Sequence, residues 1–392
     1  MTDLFNPTEQ HEVLRQMVRS FAEDELQPQA EEYDHREQFN RELFEKLGEL
    51  GLLGVTAPPE YGGSGMDAVA AVIVHEELSA VDPGFCLAYL AHSMLFVNNL
   101  AVNGNDDQRS RFLPGSCSGE LVGGMYMSEP SAGTDALAMS TVAEKKGDHY
   151  VLNGRKMWIT NGAVSDDELG DLFLVYAKKE DRRGDDISLF VVEKGTEGFE
   201  LGQKLHGKLG MRASTTAELV FDDAKIPEQN LVGTPGGAVR SMMRNLEIER
   251  VTLAAMSLGI ARRCVEVMNT YAGERKSFGK PLRAHGQIQR HIGESYAEFM
   301  AGRSYVYNVA AGLGPEGKGD RIDSDGAKLY CSTMAKNVAD RAIQVLGGYG
   351  YMSEYDVERL WRDAKLLEIG GGTVEAHQKN ITRDLGRRDK IR

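Results

Sequence analysis

The sequence predicts an α+β protein in which two helical regions flank a β region. Apolar side chains recur at helical spacing from Thr8 to about Leu113, β-rich runs occupy about Gly119 to Val232, and helical spacing returns from about Pro235. A length of 392 residues provides material for two or three domains or layers. We therefore predict an N-terminal helical domain, a middle β domain and a C-terminal helical domain, at residues 1–118, 119–233 and 234–392.

The N-terminal region contains three clear helical patterns. In HEVLRQMVRSFAEDELQP, Val13, Met17 and Phe21 recur four residues apart, which places them on one helix face. RELFEKLGELGLL and AVAAVIVHEELSAV continue the helical pattern, and the proline and glycine residues of APPEYGGSGM between them are typical of a loop. The region from Thr8 to about Leu113 is therefore expected to be helical, with a loop at APPEYGGSGM.

The spacing of apolar residues then changes twice along the chain, first to a strand pattern and then back to a helical one. Strands are predicted in β-rich runs bounded by glycine, aspartate and asparagine, namely HYVLNGRKMWIT, LFLVYAKK, ISLFVVEK and AELVFDDAKI. Long helices are predicted in VRSMMRNLEIERVTLAAMSLGIARRCVEVMNTYAGER, IQRHIGESYAEFMAGRSYVYNVAAGL and DGAKLYCSTMAKNVADRAIQVLGGYG. The order helices, strands, helices is the basis of the fold prediction.

Composition and charge exclude several classes of protein. The formal net charge of −14 argues against a nucleic-acid partner, although local Arg and Lys residues could still hold an anionic ligand. About 18 uninterrupted apolar residues occur nowhere, and MTDLFNPTEQHEVLRQMVRS has neither an apolar signal core nor an arginine-rich transit pattern. We expect a cytoplasmic protein without a membrane partner.

Metal and disulfide chemistry have little support in the sequence. Cys86, Cys117, Cys264 and Cys331 form no CxxC pair, so buried free thiols are expected. The nine histidines are dispersed and provide no HExxH arrangement. No metal site is predicted.

Two motifs at the start of the β region suit a planar aromatic cofactor. MSEPSAGTD and KMWITNG concentrate hydroxyl groups, glycine backbone and one of the two tryptophans. Trp158 could cover one face of a ring system while Ser128 and Thr160 bond its heteroatoms. The alternative is that Trp158 packs in the core of the sheet. Neither GxGxxG after a strand nor GxxxxGK[ST] is present, so any dinucleotide must be bound in another way.

A glycine run interrupts a helix-friendly stretch near the C-terminus. In RDAKLLEIGGGTVEAHQ, Gly370, Gly371 and Gly372 are costly within a helix. They indicate either a helix C-cap or loop, or a place where a ligand approaches the backbone closely. Both interpretations remain open at this stage.

Taken together, the ordered motifs MSEPSAGTD, KMWITNG, KLGMRAS, ERKSFGKPL, VLGGYGY and RDAKLLEIGGGT resemble the acyl-CoA dehydrogenase family, from about Glu9 to Leu385. The resemblance implies an enzyme with an N-terminal helical domain, a middle β domain and a C-terminal four-helix bundle, usually assembled as a homotetramer. It also implies bound FAD, removal of an α-proton and a β-hydride from an acyl-CoA thioester, and transfer of electrons to electron-transfer flavoprotein.

The same resemblance offers a reason for the glycine run. Many family members have Tyr-Glu where this chain has Gly370 and Gly371, and that glutamate is their catalytic base. The isovaleryl-CoA dehydrogenase branch instead carries its base early in the C-terminal domain, at the position of Glu249 in LEIER. Glu249 is therefore the candidate base, and the Gly371 backbone N–H is a candidate donor to the thioester carbonyl. The alternative is that Glu249 belongs to a charged helix face.

Further site residues are implied by position within the motifs. Substrate contacts are expected from Leu87, Ala91, Thr134, Glu247, Arg250 and Gly370. FAD contacts are expected from Met125, Met127, Ser128, Thr134, Trp158, Ile159, Thr160, Arg275, Phe278, Gln287, Gln344, Gly347, Gly348, Thr373 and Glu375. The chain departs from the family pattern at Leu90, at Gly286 where Gln287 could substitute, and in the segment after Thr373.

The sequence therefore predicts FAD-dependent dehydrogenation of a short branched acyl-CoA such as isovaleryl-CoA. One alternative is a longer 3-methyl acyl-CoA such as citronellyl-CoA. A second is a flavin-containing acyl-CoA lyase or desulfinase, which would not require Glu249. A third is a non-catalytic protein that binds acyl-CoA or stabilises an oligomer.

Overall fold

A computed structural model describes residues 3–179, 186–314, 319–388 and 390. The predicted α+β architecture is confirmed, with helical N- and C-terminal regions around a central sheet. The N-terminal helices are α1 Glu9–Phe21, α2 Ala30–Arg36, α3 Arg41–Glu49, α4 Ala68–Ser79, α5 Pro83–Leu90, α6 Asn98–Asn103 and α7 Asp106–Ser118.

The predicted apolar face of α1 is wrong in part. Leu14, Val18 and Phe21 are buried, whereas the Val13 side chain is 57% exposed. An α-helix has 3.6 residues per turn, so a strict four-residue spacing drifts around the helix by about 40° at each step. Val13, the first residue of the four-residue series, therefore lies outside the buried face of α1.

Pro83–Asn103 is one continuous helix in which α5 and α6 are joined by a π-helical segment, Ala91–Val97. By length and composition this helix could cross a membrane, but 94% of its most apolar 18-residue window is buried inside the protein. All twelve residues of α4 are also buried. Both helices therefore form the interior of the protein and are covered on every side.

The middle region forms one twisted sheet. Its strands are β1 Gly123–Tyr126, β2 Val142–Lys146, β3 His149–Thr160, β4 Leu172–Lys178, β5 Ile187–Glu193, β6 Phe199–Lys204, β7 Thr216–Pro227 and β8 Leu231–Val232. Their order is β6-β7-β3-β2-β4-β5-β8, with β1 added parallel to β4. The four predicted strands are β3, β4, β5 and β7, and the others lie between or beside them.

The C-terminal region is again helical. Its helices are α8 Ala238–Glu274, α9 Gly286–Ala311, α10 Arg321–Leu346, α11 Val357–Leu367 and α12 Val374–Leu385, with a small hairpin of β9 Lys276–Ser277 and β10 Lys280–Pro281 after α8. Helices α8, α9 and α10 pack on one another, and α11 packs on α8 and α10. One hydrophobic cluster joins α4 and α5 to α8, α10 and α11, so the two helical regions share a core. The four cysteines are buried and free, as expected.

Candidate active site

Glu249 lies on α8 where the helix enters the shared core. The residue is only 7% exposed, and the Oε2 atom of its side chain has no hydrogen-bond partner among the described residues. Burial raises the pKa of Glu249 to about 7, while the positive charges of Arg250 and Lys328 act in the opposite direction. A carboxylate with this pKa is suited to accept a proton near neutral pH. The alternative of a charged, solvated helix face is wrong.

The glycine loop, Glu368–Thr373, connects α11 to α12 and passes over Glu249. Gly371 has φ +66°, and a Cβ atom there would lie 3.4 Å from Glu249 Oε1 and 2.1 Å from Leu253 Cδ1. The Gly370 N–H donates to Leu366 O at 2.8 Å, which ends α11. The run is thus a loop, as one interpretation held, and the groups that approach it closely are Leu253 and Glu249 of α8.

Buried polar side chains fasten this loop. Lys328 on α10 is fully buried and donates to the Leu367 carbonyl and, at 3.4 Å, to the Gly372 carbonyl. His377 on α12 places Nε2 3.0 Å from the same Gly372 oxygen and Nδ1 2.5 Å from Asp325.

Asp325 also accepts from Arg250 Nη1 at 3.4 Å, so the arginine beside the candidate base belongs to the same network. The unusual segment after Thr373 contributes the buried His377 to it. Sequence reasoning missed Lys328, His377 and Asp325. A signal was present for Lys328, because this charged residue occupies a core position between Ala327 and Cys331 on α10.

The candidate acyl-pocket residues lie on the apolar helix. The Ala91 N–H donates to Leu87 O, so the two residues share one face. Leu87 is partly buried, Ala91 is buried, and Leu90 is buried beside them. Asn161, with φ +60°, donates through Nδ2 to Ala88 O at 2.8 Å and to Gly123 O at 3.2 Å. It ties this helix to β1, a role that sequence reasoning missed.

The candidate flavin site lies where β3 is irregular. Trp158 has φ +60°, falls between two registers of the β3–β7 pairing and is 57% exposed, so the alternative that it is a core residue is wrong. The Met157 N–H donates to Ser128 O at 3.0 Å, which brings the motifs MSEPSAGTD and KMWITNG together. Ile159 is buried, whereas Thr160 is half-buried. An uncovered indole face beside half-buried hydroxyl groups fits a planar, heteroatom-rich ring such as that of FAD.

A buried ion pair supports this site from within the sheet. Lys156 Nζ lies 2.8 Å from Glu129 Oε1 and donates to Met127 O at 3.3 Å. Burial lowers the pKa of Lys156 to about 8, against the effect of Glu129. Glu129 also accepts hydrogen bonds from Ser140 and Thr141. Met125 within β1 and Met127 just after it are half-buried. The two charged residues were not predicted, although Lys156 occupies an inward position of a strand.

The remaining predicted site residues lie nearer the surface. Arg275 is exposed and its guanidinium carbon lies 5.8 Å from the centre of the Tyr349 ring. Glu247 is half-buried and accepts from the Gly319 N–H at 3.3 Å, and burial raises its pKa. Thr373 caps α12 by accepting from the Ala376 N–H. The other members are exposed in the single chain: Thr134, Phe278, Gly286, Gln287, Gln344, Gly347, Gly348 and Glu375. Within residues 3–179, 186–314 and 319–388, no group of three or more His, Cys, Asp and Glu residues could hold a metal ion.

Comparison with known proteins assigns this fold and site to the class of flavoprotein oxidoreductases. The chain belongs to the acyl-CoA dehydrogenase family: the profiles of the family's N-terminal, middle and C-terminal domains match residues 8–120, 124–224 and 237–386. It is 42% identical over 383 residues to the mitochondrial isovaleryl-CoA dehydrogenase of Pongo abelii, covering 96% of this chain and 88% of that protein. It is 39% identical over 379 residues to the short-chain specific acyl-CoA dehydrogenase of Clostridium acetobutylicum, covering 96% and 98%.

Solved structures agree with this assignment. Butyryl-CoA dehydrogenase from Megasphaera elsdenii superimposes with a TM-score of 0.92 at 34% identity, covering 99% of each chain. An acyl-CoA dehydrogenase from Bacillus anthracis complexed with FAD superimposes with a TM-score of 0.90 at 30% identity, covering 97% of this chain and 67% of that chain. The family is FAD-dependent, and the predicted family membership and enzyme class are confirmed.

Proposed function

We propose that this enzyme dehydrogenates a short branched acyl-CoA, with isovaleryl-CoA as the leading substrate and Glu249 as the catalytic base. One observation carries the proposal: the buried Glu249 carboxylate lies 3.4 Å from the Cβ position of Gly371, where the chain itself has no carboxylate. The similarity to isovaleryl-CoA dehydrogenase supports the choice of substrate. Similarity to a relative named as short-chain specific supports a short acyl chain.

The proposed chemistry begins with the α-proton of the thioester. A solvated glutamate has a pKa near 4.3 and is too weak a base, whereas burial makes the Glu249 carboxylate a stronger one. The Gly371 N–H, by resemblance, donates to the thioester oxygen, and one such bond in a dry site contributes about 3 kcal/mol. When bound, FAD supplies the acceptor for the β-hydride. Ser128, Thr160 and Trp158 would hold its ring system.

The branched-chain preference is proposed from the space at Gly370. The three atoms nearest to a Cβ atom there all belong to Leu366, at 3.6–3.9 Å, which is ordinary van der Waals contact. Family members with tyrosine at this position fill a volume that this chain leaves to the substrate. Leu87 and Ala91 would limit the depth of the acyl pocket. A longer 3-methyl acyl-CoA such as citronellyl-CoA remains the alternative within the same chemistry.

The partners of the reaction are also proposals. We propose electron-transfer flavoprotein as the electron acceptor and a homotetramer as the assembly, both from the family resemblance. The exposed Phe278, Tyr351 and Met352 side chains, 94%, 82% and 60% exposed, support burial of this surface against another copy. The cytoplasmic location stays a prediction.

An anaerobic titration tests the base and the substrate together. Wild type and Glu249→Gln are mixed with isovaleryl-, butyryl-, octanoyl- and citronellyl-CoA while flavin absorbance is recorded. Wild type should bleach most rapidly with isovaleryl-CoA, and kcat/KM should rise with pH through about 7 as Glu249 ionises. The Gln variant should keep FAD but lose about 10²–10⁴-fold in rate. Full activity in that variant would refute the assignment of Glu249.

Gly370→Tyr tests the branched-chain preference. Overfilling a packed site costs about 1–3 kcal/mol, which changes selectivity by roughly 5- to 150-fold. The ratio of kcat/KM for isovaleryl-CoA over butyryl-CoA should fall by that factor. Equal losses on both substrates would show that Gly370 serves only the loop backbone.

A further inference from the structure

Lys328 is the only described lysine that reaches both ends of the glycine loop. Its ammonium group donates to Leu367 O, at the end of α11, and to Gly372 O, one residue beyond Gly371. The side chain is fully buried, so bulk solvent does not reach these contacts. A single charged group thus bridges the two carbonyls that bound the segment facing Glu249.

The same ammonium group is linked to Glu249 through the loop: it bonds the Gly372 carbonyl, and the Cβ position of the adjacent Gly371 lies 3.4 Å from Glu249 Oε1. The interaction is mutual, since Lys328 favours the ionised carboxylate and Glu249 favours the protonated amine. Burial nevertheless lowers the pKa of Lys328 to about 8. The charged or titratable groups around the pair come from five elements: Arg250 on α8, Asp325 on α10, Glu368 in the loop, His377 on α12 and Tyr176 on β4.

We propose that Lys328 is a positioning residue for proton abstraction: it holds both ends of the glycine loop against α8 and supplies positive charge beside the Glu249 carboxylate. The loop carries the Gly371 N–H, and its backbone lies against Glu249, so loosening it misplaces donor and base together. This lysine lies outside the six motifs that carry the family resemblance, in the first half of α10. The proposal has two halves. The charge half, in which Lys328 supplies positive charge to Glu249, rests on Glu249 being the base. The loop half, in which Lys328 holds the glycine loop against α8, does not.

The consequence for catalysis is specific. Without the ammonium group, Leu367 O and Gly372 O lose a shared donor and the loop gains freedom. A displacement of about 1 Å between reacting groups can reduce a rate about 100-fold. Loss of the nearby positive charge also makes Glu249 harder to ionise, so the rate falls first on the acid side.

The test compares three variants of the FAD-loaded enzyme. Lys328→Met removes the charge at similar length, Lys328→Arg keeps a charge with a different shape, and Lys336→Met is the control, eight residues further along α10. The measurements are amide hydrogen exchange at residues 368–373, kcat and KM with isovaleryl-CoA, and the pH profile of kcat/KM. FAD content and Tm show whether each variant is folded.

In Lys328→Met, the loop amides should exchange faster with solvent than in wild type. The kcat should fall roughly 10- to 100-fold with a smaller change in KM. The acid limb of the pH profile of kcat/KM should move to higher pH. Lys328→Arg should speed loop exchange but keep the acid limb in place. It should also remove any decline in rate above about pH 8 that arises from neutralisation of Lys328. Lys336→Met should match wild type in each measurement.

Several outcomes would overturn the proposal. Loop exchange equal to wild type in Lys328→Met refutes the loop half, and an unmoved acid limb refutes the charge half, whatever happens to kcat. If Lys328→Met fails to bind FAD or to fold, unchanged loop exchange in Lys328→Arg refutes the loop half in its place. Glu249→Gln is assayed in parallel. Full turnover there removes the base assignment and the charge half with it, while loop exchange still decides the loop half.

Discussion

Leu253 occupies the space that a side chain at Gly371 would need. Its Cδ1 atom lies 2.1 Å from the ideal Cβ position, and the backbone at Gly371 is left-handed with φ +66°. A side chain there would therefore clash and adopt a conformation that costs a residue other than glycine about 1–2 kcal/mol. The position is closed to a carboxylate by packing as well as by sequence.

This geometry sets a condition for moving the base. Gly371→Glu in a Glu249→Gly background returns a carboxylate near the same place, but we expect little rescue of kcat because Leu253 is in the way. Adding Leu253→Ala should restore a measurable fraction of wild-type kcat. Leu253→Ala alone, with Glu249 intact, serves as the control for the cavity it creates. Equal rescue with and without Leu253→Ala would show that the loop relaxes freely.

Single residues were predictable from the sequence only where a motif marks them. Glu249, Gly371 and Trp158 stand within recognisable patterns, and resemblance located them. Lys328 and Asp325 act through contacts with segments about 40 to 55 residues away in the chain, such as Gly372 and His377. Spacing along the sequence carries no information on such contacts.

Helices α1, α4 and α8 are joined by a buried ionic cluster. Glu77 on α4 accepts hydrogen bonds from Arg15 and Arg19 on α1 and from Arg262 on α8. The Glu77 side chain is fully buried. Burial alone would raise its pKa, but Arg262 and the other arginines outweigh burial and lower it to about 2. The cluster therefore helps to hold the two helical regions together.

Lowering the pH should weaken the ionic cluster that joins α1, α4 and α8. Because the folded pKa of Glu77 is below its ordinary value of 4.5, its contribution to stability is present above about pH 4.5 and is lost as the pH falls toward 2. Glu77→Gln should lower the free energy of unfolding at pH 7 by about 3–5 kcal/mol, since it removes the buried carboxylate that Arg15, Arg19 and Arg262 share. It should also flatten the pH dependence in that range, as measured by denaturant unfolding.

Glu266→Gln is the matched control, because Glu266 lies 3.9 Å from the same Arg262 and its side chain is 56% exposed. Its effect should stay within about 0.5 kcal/mol. Equal effects of the two substitutions would contradict the role assigned to burial.

Elements were predictable in proportion to their length and regularity. The long helices α8, α9 and α10 and the strands β3 and β7 match their sequence patterns closely. The strands β1, β2 and β6 were not predicted. GGMY in β1 is short and glycine-rich, and β2 and β6 are largely exposed polar segments. These strands exist because neighbouring strands pair with them, which a local pattern does not reveal.

On the scale of the whole molecule, the surface around Arg275 is the candidate contact between copies. Arg275→Ala should weaken both FAD retention and the proposed tetramer, since Arg275 is a predicted FAD contact at this surface. A charge-assisted bond from its guanidinium to FAD would contribute about 1.5–3 kcal/mol. Sedimentation and flavin absorbance after gel filtration would measure the two effects. Arg290→Ala is the control, because Arg290 is also exposed and pairs with Glu294 one turn along α9. A monomeric variant that retains its FAD would contradict the prediction.

The apolar helix Pro83–Asn103 and the all-round burial of α4 have a consequence for how the chain is made. Both elements are covered partly by α8, whose residues leave the ribosome more than a hundred positions later. Until then, the nascent N-terminal region presents a helix apolar enough to enter a bilayer and lacks the cover that α8 provides. We therefore expect this part of the chain to complete its folding only after α8 has been made. We predict that residues 68–103 need shielding during synthesis, and that an N-terminal fragment expressed without α8 aggregates, as measured by its recovery in the soluble fraction.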